Sequence, residues 1–214
     1  MKGDAVAAEP MRSEDDDLDV SSIRLLELRH RIKNLLGITQ AVANQTLRSG
    51  RSVDEARVAL DGRLAAMGEA VDMLLQTGWT AGDLGALVRR ALLEKEPRVS
   101  LAGPHVRLGP DAVMALTLVV HELESNAVKY GALASPEGRV AVAWSIEPRD
   151  GADWLRLEWA EHDGPPCEIP SRKGFGSRMM AKLIGGRLRG AIETDYSPDG
   201  LRWRLTAPLA SLAP

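Results

Sequence analysis

The chain has 214 residues, 44% hydrophobic and 27% charged, which is ordinary for a soluble globular protein and sufficient for one large or two small domains. A single cysteine, Cys167, excludes an internal disulfide framework and a cysteine-rich zinc site, and aromatics at 4% argue against stacking platforms for single-stranded nucleic acid. The net charge of −3 is uneven: residues 1–20 hold two bases against seven acids, and the remainder has no basic footprint, so no nucleic-acid partner is expected.

Residues 1–19 are acidic and poor in apolar side chains, and read as a disordered tail or a leader into a helix. The start, MKGDAVAAEP, lacks the apolar core of a signal peptide. Ala112–Val120, the longest nearly apolar stretch, reaches only about half of a membrane span. A cytoplasmic protein without membrane insertion is therefore expected. From Ser21 the pattern is helical, with Leu25, Leu28, Ile32, Leu35, Thr39, Val42 and Thr46 forming a seam that ends at Ser49-Gly50. A second seam follows: Val53, Ala56, Leu60, Leu64, Met67, Val71 and Leu74. Two such helices make a hairpin over residues 20–77, and two hairpins close a four-helix bundle, so a homodimer is expected.

Thr77–Gly82 reads as a linker, and residues 83–214 as a second domain. Asp83 is placed to cap a short helix, and an extended piece follows around Val99–Leu108. A helix is predicted from Asp111 to about Tyr130, strands over Arg139–Ile146 and Trp154–Trp159, and a glycine-entered helix over Gly174–Leu188. Ala191–Tyr196 and Leu201–Thr206 read as a hairpin turning at Ser197–Gly200. The fold class is α+β, with helices over one face of a mixed, mainly antiparallel sheet.

Three features carry chemistry. His30, in LRHRIKN, points almost opposite the first seam, and an exposed imidazole beside Arg31, Lys33 and Asn34 can act as a nucleophile. Glu122, Asn126 and Lys129 share one helical face, a set suited to a hydrated Mg2+ ion and phosphates. Trp159–Pro166 ends a strand in carboxylates, and Gly174-Phe175-Gly176 opens a helix whose N–H groups and glycines permit close phosphate approach. Taken singly, an ordinary surface histidine, a solvated helix face and a plain turn have the same appearance.

Their order along the chain carries more. From about Glu27 to Leu209 the sequence resembles the HWE group of bacterial two-component sensor histidine kinases, which have a GHKL (Bergerat) ATP-binding domain. ELRHRIKNLLGITQAVANQTLR is similar to the family's phosphoacceptor box, and HELESNAVKYGAL, with His121, to its N box. Trp159-Ala160-Glu161 resembles the W-x-E element, and GFGS, Gly174–Ser177, the second glycine box. The resemblance implies ATP and Mg2+, with Asn126 on the metal and Glu122 and Lys129 nearby. Glu161 or Asp163 would accept from adenine, Gly164 would belong to the adjoining glycine element, and Gly174 and Gly176 would let a lid close. His30 is the implied phosphoacceptor, with Asn34 and Glu122 as further catalytic residues and a response-regulator receiver domain as acceptor.

Arg31 follows His30 where other histidine kinases have an acid; Glu27 or a carboxylate of the ATP domain could orient the imidazole. Two positions depart from the family: Glu124 replaces a small residue and Asp163 replaces a glycine, placing extra negative charge near a polyphosphate site. A histidine phosphotransfer protein with a degenerate ATP domain is the second reading. A GHKL ATPase, in which Glu122 activates water, is the third. An acidic stretch of twenty residues does not make a sensory domain, so the input is expected to come from a separate sensor protein, or the chain is a fragment of a longer one.

Overall fold

The computed structural model describes residues 14–47, 52–93, 96–167 and 175–214. Two compact units divide between Asn44 and Gln45.

The first unit contains most of α1 (Glu14–Leu47). The helix begins inside the acidic segment read as a disordered tail or a leader into a helix. His30 is exposed, and the seam residues Leu28 and Ile32 are 53% and 48% exposed. Thr39, at a polar seam position, satisfies its hydroxyl within the helix by donating to the Leu35 carbonyl at 2.9 Å.

The second unit opens with the end of α1 and with α2 (Val53–Gln76). Ser52 starts α2 through a capping box: its Oγ accepts from Glu55 N at 3.3 Å, and Glu55 Oε2 accepts from Ser52 N at 2.9 Å. The buried stripe of α2, including Ala56, Met67, Ala70 and Leu74, belongs to a helix that packs along α4 (Pro110–Lys129). An apolar stripe announces a partner without naming it, so α4 is a partner of α2 that the sequence does not single out. Gly78 and Trp79, at φ 61° and 65°, then turn the chain out of α2.

Asp83 ends the short β1 (Gly82–Asp83) and caps α3 (Leu84–Val88), its Oδ1 accepting from Ala86 N at 2.8 Å. Strands β2 (Val99–Ala102) and β3 (Arg107–Leu108) lead into α4, which carries Pro110 in its first turn. From Ala112 to Val120 every residue of α4 is buried, the pattern of a helix covered on all sides rather than on one face. The rest comprises β4 (Arg139–Arg149), β5 (Ala152–His162), α5 (Phe175–Arg187), β6 (Ala191–Ser197) and β7 (Gly200–Pro208).

The main sheet has the order β2-β4-β5-β7-β6, parallel between β2 and β4 and antiparallel elsewhere, so the mixed, mainly antiparallel α+β reading holds. One face of the sheet is buried: Val140, Val142 and Trp144 on β4, Leu155, Leu157 and Trp159 on β5, and Trp203, Leu205 and Ala207 on β7. Val142, Trp159 and Trp203 lie opposite one another across three strands. The alternate positions carry charges, among them Arg156, Glu158 and Arg204.

Candidate functional site

The site forms where the second half of α4 meets the start of α5 and the β6–β7 edge of the sheet. A cleft of about 610 Å³ opens there, walled by Leu123 and Asn126 of α4, Ser177 and Arg178 of α5, and Thr194, Tyr196 and Trp203 of the sheet. Asn126 reaches it because the helix places Leu123 and Asn126 three residues apart on one side. Burial, followed by the neighbouring Cys167, pushes the Tyr196 phenol up, so at neutral pH it is a hydroxyl that can donate. Burial pushes the Cys167 thiol up too, reinforced by Glu161 and Asp195, and keeps it protonated. The Trp203 indole N–H is buried without a hydrogen-bond partner among the described residues, an unmet donor in a residue that lines the cleft. Sequence reading did not single out Trp203; the alternation of β7 marks it as inward-facing but not as unpaired.

Glu161, 4% exposed, sits at the end of β5 and holds the turn after α4. Its Oε2 accepts from Ala132 N at 2.7 Å and its Oε1 from Trp159 Nε1 at 3.1 Å. Both donors are neutral, and a carboxylate offers about four acceptor positions, so acceptor capacity remains for a further N–H. Gly131 permits this approach, since a Cβ there would lie 2.0 Å from Glu161 Oε2. Gly164 packs as tightly, 2.4 Å from Ala132 Cα for an added Cβ. Asp163 adopts φ 57°, the left-handed region where glycine is at ease, and its carboxylate is taken by Arg139, with Nε–Oδ2 at 3.1 Å. The extra charge is thus paired on the exposed side of the loop.

Glu122 is not on the cleft wall with Asn126. It is 5% exposed and faces α2, where Arg63 Nε and Nη2 donate to its two oxygens at 2.7 and 2.9 Å. Breaking such a buried pair by removing one partner typically costs about 3–5 kcal/mol. Gly176 is needed against this carboxylate: an added Cβ would stand 2.4 Å from Glu122 Oε2. Lys129 is exposed at the end of α4 and does not line the cleft. His30 and Asn34 lie on α1, exposed and half-buried, and Gly174 lies outside the described residues. Among the described residues no three His, Cys, Asp or Glu side chains converge to hold a metal ion. The donor set suits a Mg2+ ion that arrives with phosphates and keeps several waters, for which Asn126 offers one neutral oxygen.

Residues 27–105 match the family model described as HWE histidine kinase. Over this segment the chain is similar to the HWE histidine kinases. It is 34% identical over 189 residues to a blue-light-activated histidine kinase of Brucella anthropi, covering 86% of this chain and 38% of that protein. The corresponding Brucella ovis protein is 33% identical over 187 residues, with the same two coverages. The chain therefore spans about two fifths of the length of the curated relatives it matches. In fold, the chain is similar to the histidine kinase domain of a blue-light activated histidine kinase of Erythrobacter litoralis, with TM-score 0.51, 17% identity, and 83% and 97% of the two chains covered. A longer structure of that kinase gives TM-score 0.54 at 20% identity, covering 88% of this chain and 63% of the other. No helix among the described residues is long and apolar enough to cross a membrane.

Proposed function

We propose that this HWE-family chain is an ATP-dependent histidine kinase that phosphorylates itself on His30 and passes the phosphoryl group to a response-regulator aspartate. The observation that carries this is the cleft between α4, α5 and the sheet with Asn126 on its wall, in a chain whose family match includes His30. ATP binds in the cleft, with Asn126 toward the metal, Glu161 toward the adenine amino group, and Gly164 and Gly176 shaping the surrounding backbone. Mg2+ supplies charge neutralisation for the phosphates. The unprotonated ring nitrogen of His30 attacks the γ-phosphorus, an N–P bond forms, and the bond to the ADP oxygen breaks. Catalysis consists of positioning and electrostatic stabilisation. Leu28 and Ile32, about half exposed in the single chain, support a homodimer through residues 20–77, the phosphotransfer hairpin followed by the ATP-binding domain from residue 83. Activation in the named relatives is by blue light; for this chain we assign the input to a sensor outside residues 1–214.

Calorimetric titration with Mg-ATP tests the site. Asn126→Ala is expected to weaken binding roughly tenfold, the cost of one ion-assisted contact of about 1.5 kcal/mol. Equal affinity in wild type and Asn126→Ala would remove Asn126 from the site. Absence of binding at millimolar nucleotide would favour the phosphotransfer protein instead.

A further inference from the structure

Arg63 is 2% exposed in the middle of α2, and its guanidinium joins three elements. Two of its nitrogens clasp Glu122 of α4, while Nη1 donates to Thr46 Oγ1, in the last turn of α1, at 3.0 Å. The helices meet here through glycines. A Cβ at Gly62 would lie 3.2 Å from the His121 ring, and one at Gly176 would meet the Glu122 carboxylate itself. Close seating of α2 and α5 around Glu122 is therefore built into the backbone. Glu122 precedes Asn126 by one helical turn, yet in this arrangement only Asn126 lines the cleft.

We propose that Arg63 is a positioning residue for phosphoryl transfer, acting through Glu122: with α2 seated on α4 it withholds the carboxylate from the nucleotide site, and its release switches the site on. This rests on the kinase reading above. A buried carboxylate stays with its partner, and a forked guanidinium occupies both oxygens at once. Glu122 cannot turn toward a proton or cation in the cleft without giving up both of its contacts to the buried guanidinium. Displacement of α2 would carry the guanidinium off and leave a free carboxylate one turn from Asn126. Thr46 makes the end of α1 part of the same interlock.

The test measures phosphohistidine formation against Mg-ATP concentration, separating kcat from KM, with His30→Ala as the blank. Arg63→Met is expected to raise kcat about tenfold and Thr46→Val about threefold, with KM near the wild-type value, as the loss of a charged or a single hydrogen bond shifts the closed arrangement. Adding Glu122→Gln to Arg63→Met should abolish the gain, which a merely structural pair would not do. Should Arg63→Met fail to fold, Thr46→Val decides, because it leaves no charge unpaired. Folded variants with rates at or below an active wild type overturn the interlock while sparing the kinase reading. No phosphohistidine in the wild type or in any variant overturns both.

Discussion

At Gly164 a single hydrogen stands where a side chain does not fit, since the nearest backbone atoms an added Cβ would meet are Ala132 Cα and N, at 2.4 and 3.0 Å. Gly164→Ala is predicted to destabilise the fold by about 1–3 kcal/mol, because backbone cannot yield as a flexible side chain can. Chemical denaturation measures this, and an unchanged midpoint would mean that the loop moves freely away from Ala132. Its neighbour behaves differently. Asp163→Gly relieves a left-handed residue but loses an exposed ion pair to Arg139, so its stability should change by less than about 1 kcal/mol. The sequence marks Asp163 as a departure from the family it resembles, yet only the φ angle explains why glycine suits that position. Glu122 illustrates the opposite limit. Its helical spacing from Asn126 is legible, whereas the Arg63 that claims it lies 59 residues away and leaves no local signal.

Elements with their own periodicity are read well from the sequence. The β6–β7 hairpin closes at Pro198-Asp199 with Ser197 opposite Gly200, within the predicted turn. The β4–β5 hairpin runs further than its apolar alternation, from Ile146 to Arg149 and back from Ala152. The missed signal is Asp150-Gly151, both at positive φ, a dipeptide suited to a tight hairpin. On the charged face of this sheet, hydrogen bonds from Arg156 and then Arg204 hold Glu158 below the usual carboxylate range. A depressed carboxylate contributes stability above its unfolded pKa and loses it as pH falls through the folded value. The group is partly exposed, so the contribution is under about 1 kcal/mol. Melting curves of wild type and Glu158→Gln should therefore differ slightly at neutral pH and converge in acid. A gap that persists or widens in acid would contradict this origin.

For the molecule as a whole, the order of α1, α2 and a mixed-sheet domain was legible, but the partner of α2 was not. Its stripe packs on α4 and leaves Leu64 and Leu75 exposed, and on α1 Leu28 and Ile32 are exposed too, the apolar surface on which the proposed dimer rests. Ile32→Asp with Leu64→Asp is predicted to give monomers in sedimentation. A wild type that is already monomeric at micromolar concentration would contradict the dimer. The central claim is that His30 receives phosphate from ATP bound by this protein alone. Incubation with γ-labelled ATP and Mg2+ addresses it most directly, followed by acid and base treatment of the product. We predict acid-labile, base-stable label in the wild type and none in His30→Ala. Label that survives in His30→Ala, or a wild type that stays unlabelled, would contradict the account.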